Sequence, residues 1–75
     1  MSGFYHLKIT ESEAELKTLL GTQKNAYSKE RIQLLYLLKS EQAQTIQQAA
    51  VLLGRHRVTV QKWARRYREG GLSQF

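Results

Sequence analysis

Seventy-five residues, 41% hydrophobic and 24% charged, make one globular domain, with too little chain for a second core and enough apolar content to fold. Twelve Lys and Arg against six Asp and Glu give a net charge of +6, which favours an anionic partner, and the lack of cysteine excludes a disulfide framework and a thiolate metal site. No apolar run is long enough to span a bilayer and no secretory leader is readable, so no membrane partner is expected and the expected location is cytoplasmic. The charge is uneven: residues 1–44 hold six basic and five acidic side chains, net +1, whereas residues 45–75 hold six basic and one acidic, net +5. The anion-binding surface is therefore expected in the second half.

In chain order, Tyr5, Leu7 and Ile9 alternate, which reads as an extended arm or a tether over residues 1–9. Thr10 and Ser12 each stand three residues before a glutamate, Glu13 and Glu15, and Leu16, Leu19 and Leu20 follow on one stripe, so a capping box opens a first helix that Gly21 is expected to end. After a polar connection from Gly21 to Tyr27, Ser28 is the expected cap of a second helix with Ile32, Leu35, Tyr36 and Leu38 on its apolar face, broadened by Leu34 and Leu37. Lys39 to Gln44 is a short polar link. Thr45 and Gln48 form a second capping box for a third helix, Ile46 to Leu53, with Ile46, Ala49, Ala50 and Leu53 inward and Gly54 closing it. A fourth helix from about Arg57 to Glu69 keeps Val60, Trp63, Ala64 and Tyr67 on one stripe and stops at Gly70-Gly71.

The third and fourth helices carry the functional signal. Two helices that meet at an angle through a tight turn need small residues at the contact, supplied by Ala49 and Ala50. They also need a turn residue that tolerates positive φ, supplied by Gly54, and apolar anchors returning to the core, supplied by Val60 and Trp63. Together these residues spell a helix-turn-helix. Rotation by about 100° per residue then sets Val58, Gln61, Lys62 and Arg65 on the outer face of the fourth helix at i, i+3, i+4, i+7, the stripe that a recognition helix presents to base edges in a major groove. Arg55, His56, Arg57, Thr59, Arg66 and Arg68 flank that stripe as candidates for phosphate contacts. In this reading Arg65 pairs with guanine, Gln61 with adenine, Lys62 with guanine or a phosphate, and Val58 meets a thymine methyl.

Plainer readings stand beside these. A basic helix face is often only solvated surface, and the motif is what favours DNA here. Trp63 is suited to stacking on a base, but its phase with Val60 favours the core. His56 falls at the N-cap of the fourth helix, where it either caps weakly or touches a phosphate. Glu11, Glu13 and Glu15 at a helix start fit the helix dipole better than a metal site.

From Lys29 onward the chain resembles the N-terminal DNA-binding region of bacterial insertion-sequence transposases of the mariner-type superfamily, particularly those common in cyanobacteria. The resemblance rests on Glu30-Arg31-Ile32, Thr45-Ile46 with Ala49-Ala50, Leu53-Gly54-Arg55-His56-Arg57, Thr59 to Trp63, and Arg65 to Leu72; Ser12 to Leu16 suits the family as well. It implies recognition of terminal inverted repeats on the bacterial nucleoid. In such transposases a separate C-terminal domain cuts and joins DNA with three carboxylates and divalent metal, and this sequence contains no counterpart of it, so the expectation is a non-enzyme, either an excised domain or a short relative. Arg55, where an apolar turn residue is usual, and His56, where a hydroxyl cap is usual, depart from the common helix-turn-helix pattern.

The sequence thus predicts an all-α bundle of about four helices with a homeodomain-like helix-turn-helix over residues 10–75, binding double-stranded DNA sequence-specifically. No cofactor, metal or small-molecule substrate is expected, and because one such motif buries little surface, a homodimer or a second DNA-binding unit is expected for tight operation. Two rivals remain: a stand-alone transcriptional regulator of the same fold, and a protein-interaction module in which the first helix and the Tyr5-Leu7-Ile9 arm pair two chains.

Overall fold

The computed structural model describes residues 8–74, in which four α-helices and one 3₁₀ turn follow in order: α1 (Glu13–Thr22), α2 (Ala26–Lys39), α3 (Ile46–Leu53), α4 (Arg57–Gly70) and the turn Gly71–Gln74. Each start is set by a side chain that satisfies an otherwise unpaired backbone N–H. At α1 the expected box forms, with Glu15 N donating to Ser12 Oγ at 3.1 Å and Ser12 N donating to Glu15 Oε1 at 2.8 Å. At α3 only half of the expected box forms, because Gln48 N donates to Thr45 Oγ1 but Gln48 Oε1 accepts from Gln44 N, at 2.7 Å, one residue earlier than the cap.

Two boundaries differ from the sequence reading. Gly21 does not end α1, since Thr22 Oγ1 and Gln23 Nε2 both donate to the Leu19 carbonyl and close the helix one residue later without a left-handed glycine. Ser28 does not cap α2, whose cap is Asn25, with Oδ1 accepting from Ser28 N at 2.8 Å. The seven residues of the expected connection, Gly21 to Tyr27, thus shrink to the short link 23–25, and Tyr27 becomes helical.

The core has two parts with α2 as the wall between them. Leu34 and Leu37 of α2 join Ala43, Ile46, Ala49, Ala50, Val60, Trp63 and Ala64 in the helix-turn-helix core, while Ile32 and Leu35 join Ile9, Leu16 and Tyr67 in a second cluster. The face anticipated on α2 is thereby split: Tyr36 and Leu38 are only half-buried, and Leu34 and Leu37 are buried residues, not a fringe. The second cluster docks α1 and the segment before it. Lys39 Nζ donates to the Ile9 carbonyl at 3.0 Å, Thr10 N donates to Tyr67 Oη at 3.2 Å, and Tyr67 Oη donates to Glu11. Tyr5 and Leu7 of the alternating stretch lie outside the described residues.

Candidate nucleic-acid interface

The turn between α3 and α4 is built as its chemistry requires. Gly54 takes φ +70°, a left-handed conformation that costs an L side chain about 1–2 kcal/mol, and its N–H returns to the Val51 carbonyl at 3.1 Å while Arg55 N reaches Ala50 O at 3.0 Å. Two helices therefore stand where a continuous rod would otherwise run. Ala49 is fully buried and Ala50 nearly so, which lets α3 approach its neighbours closely, and α4 answers with Val60, Trp63, Ala64 and Tyr67, all buried.

This anchoring fixes the opposite side of α4. Val58, Gln61, Lys62 and Arg65 are exposed together on it, with Val58 45% accessible although it is apolar. Arg57, Arg66 and Arg68 are exposed and Thr59 is half-buried at the edge of the face. The helix carries five cations, Arg57, Lys62, Arg65, Arg66 and Arg68, against the single acid Glu69. His56 is the N-cap, its Nδ1 accepting from Val58 N at 3.2 Å. An accepting Nδ1 places the neutral ring's proton on Nε2.

Arg55 is engaged within the protein. Its Nε donates to Glu30 Oε1 at 2.7 Å and its Nη2 lies 2.6 Å from the same oxygen, so the turn is tied to α2 by two donors converging on one acceptor. That hydrogen bond, followed by the carboxylate's charge, raises the guanidinium further above its ordinary value. Where an apolar side chain usually seats the turn, an ion pair does so here.

The match to known families accords with this geometry. A family model described as a homeodomain-like domain matches residues 25–75. The chain belongs to the homeodomain-like domain family. No curated protein and no solved structure matches the chain. The homeodomain-like span begins at Asn25, the N-cap of α2, so α2, α3 and α4 form the three-helix unit and α1 is an addition docked on its flank through the second cluster. Within that unit α3, the Gly54 turn and α4 are the helix-turn-helix.

Sequence reading missed a group at the start of α2. Arg31 Cζ lies 4.8 Å from the centroid of the Tyr27 ring, and that ring meets Trp63 edge to face with centroids 5.5 Å apart and planes at 87°. Tyr27 and Arg31 are four residues apart, a helical neighbour spacing that becomes readable only once α2 is started at Ala26. Two of the three carboxylates around the start of α1 have structural work: Glu15 closes a cap and Glu11, the residue before that cap, accepts from Tyr67.

Proposed function

We propose that the protein binds double-stranded DNA sequence-specifically, with α4 in the major groove. The observation that carries this reading is the single outward stripe of Val58, Gln61, Lys62 and Arg65 on a helix whose other side is anchored by Val60, Trp63 and Tyr67. A rigidly held helix can present the same four side chains to successive base pairs, whereas a loosely packed one blurs the register. Gln61 and Arg65 carry the two-pronged groups suited to adenine and guanine edges, Lys62 suits guanine or a phosphate, and Val58 suits a thymine methyl. Arg57, Arg66, Arg68 and Thr59 are assigned to the phosphates on the groove walls. His56 joins them, since a ring that caps α4 through Nδ1 retains an Nε2 donor for an oxygen. Arg55 contributes charge there once a phosphate competes with Glu30.

Terminal inverted repeats of an insertion element are the proposed target, supported by the resemblance of Glu30-Arg31-Ile32 and of the Leu53 to Leu72 stretch to the transposase DNA-binding region. In this reading residues 10–75 are the DNA-binding unit and residues 1–9 an arm or tether, the chain acts without cofactor or metal and does no chemistry itself, and pairing of two copies supplies the missing affinity. A promoter-binding regulator of the same fold is separated by its protected site, and selection of duplexes from a random pool decides between the two.

The test is a salt titration with two substitutions. With about five phosphates neutralised, log affinity should fall against log salt with a slope of about −4 to −5. Arg65→Ala should cost about 1–3 kcal/mol on the preferred site and relax base choice, whereas Arg68→Ala should weaken all duplexes alike. A flat salt dependence excludes the reading, and equal losses on every duplex from both substitutions exclude the assignment of Arg65 to a base.

A further inference from the structure

Among the described residues, the large apolar side chains left exposed are Tyr27, Val51, Leu52 and Val58. Two of them already have a use: the Tyr27 ring meets Trp63 and carries Arg31, and Val58 stands in the outward stripe of α4. Val51 and Leu52, 74% and 58% exposed, serve neither end and lie side by side on α3. With Gln42, Thr45, Gln47 and Gln48 they line an open depression of about 580 Å³ that holds no acid and no base.

The charge pattern names the occupant. Residues 42–54 are uncharged throughout, in a chain whose net charge is +6. A phosphate backbone finds no cation there, and an acidic partner is drawn instead to the five cations of α4. Two copies of this chain repel wherever their basic faces meet, so the face that carries no charge is where they can close on one another. Arg55, four residues beyond Val51, is paired with Glu30, which compensates the charge at that end of the face. The glutamines suit the same contact, because an amide both donates and accepts and can meet its own copy across a two-fold axis. α1 offers no such face: Leu19 and Leu20 are half-buried against the second cluster, and Glu13, Glu15 and Lys17 are what it exposes.

We infer that the outward face of α3, centred on Val51 and Leu52, is the surface through which two copies of this chain pair. The inference deepens the DNA-binding reading, on which it rests for its purpose, by giving the pairing of two copies a place on the fold. An eight-residue helix is only about 12 Å long, so the contact buries less than about 1,200 Å² in total and belongs with transient pairs.

Sedimentation equilibrium of the full chain from about 10 µM to 1 mM tests it without DNA. The average mass should rise from one copy toward two, and more steeply when salt is raised from about 0.1 to 1 M, which shortens the Debye length from about 10 to 3 Å and screens the repulsion between copies. Val51→Glu sets like charges against each other and should hold the protein monomeric, even though it lowers the net charge from +6 to +5. Ala14→Glu, on the exposed side of α1, changes the net charge equally and should pair like the unsubstituted protein. Leu52→Gln adds no charge and should weaken pairing about tenfold. The surface is overturned by a monomer at about 1 mM, by pairing that salt weakens, or by a mass that climbs past two copies. With helical circular dichroism intact, pairing that survives Val51→Glu or is lost in Ala14→Glu overturns it too. Binding of a labelled duplex is read separately: a flat salt dependence with pairing intact removes the DNA reading and leaves this face, whereas a monomer that binds with a steep slope does the reverse.

Discussion

α3 and α4 are the two arms of one motif, and they divide its tasks in opposite ways. From Ile46 to Leu53, α3 holds no charged residue, and its outward Val51 and Leu52 are 74% and 58% exposed. α4 carries five cations outside and the bulky Val60, Trp63 and Tyr67 inside. α3 instead gives the core Ala49 and Ala50, whose use is their lack of bulk. The contrast teaches that the helix bearing the charge is also the one most heavily anchored. Side chains meant to meet a partner in fixed register need their helix held against rotation, and large buried residues on its other face do that.

The largest effects should follow this division. Trp63→Ala removes the bulkiest anchor of α4 and should destabilise the protein by about 3–5 kcal/mol in urea unfolding. Enlargement is the corresponding injury in α3, and Ala49→Leu should cost about 1–3 kcal/mol by overpacking a fully buried contact. If Ala49→Leu were neutral while Trp63→Ala cost under about 1 kcal/mol, the proposed roles of the two helices would be wrong.

The joint between the arms ranks next. Apart from Gly54 and its two chain neighbours, no heavy atom lies within 4 Å of where a Cβ would stand, so Gly54→Ala meets no collision and its cost isolates the backbone, about 1–2 kcal/mol for the left-handed conformation. Asparagine tolerates that conformation better, and Gly54→Asn should lose measurably less in the same assay. Equal losses would point to a different origin for the cost.

What was legible in the sequence was local. Ser12 with Glu15, Thr45 with Gln48, the turn at Gly54 and the phase of Val60 with Trp63 all act over a few residues, and the caps, the turn and the buried face of α4 form at those positions. Elements that escaped were non-local, held by an unusual residue, or hidden by an equivalent residue close by. Asn25 was hidden by Ser28, an equally good capping type three residues on. Glu41 takes φ +65° after α2, a conformation usually signalled by glycine, and behind it Ala43 is buried though the link reads as polar. The pair Glu30–Arg55 and the contacts of Tyr67 with Thr10 and Glu11 span 25 to 57 residues, distances over which spacing carries no information. The outward stripe was legible because it is the complement of the buried one; the Tyr27–Arg31 group was not, because it depends on where α2 begins.

α4 has a further tether that α3 lacks, at Tyr67. Burial, then the hydrogen bond to Glu11, raises the phenol above its ordinary value of 10.0. The folded state therefore holds this proton more tightly than the unfolded chain, so the stabilisation is complete below pH 10 and is lost as pH rises through the raised value. Tyr67→Phe should cost about 0.5–1.5 kcal/mol at neutral pH and flatten the alkaline fall in stability. An alkaline limb unchanged by the substitution would place its origin elsewhere.

The smallest expected effect concerns the turn itself. Glu30 and Arg55 are both partly open to water, and an exposed pair contributes little to stability because solvent screens it. Its consequence lies in binding: a guanidinium shared with a carboxylate must surrender that partner before it can neutralise a phosphate fully. Glu30→Gln keeps the side-chain shape and a carbonyl oxygen for Arg55 but removes the competing charge. The expected result is tighter binding to all duplexes and a salt slope steeper by about 0.9, with unfolding nearly unchanged. If the slope stays the same, Arg55 seats the turn and does not reach DNA; weaker binding would mean that Glu30 holds Arg55 in the orientation the backbone needs. In either case the turn between an uncharged arm and a basic one is set by a cation paired with a glutamate on α2.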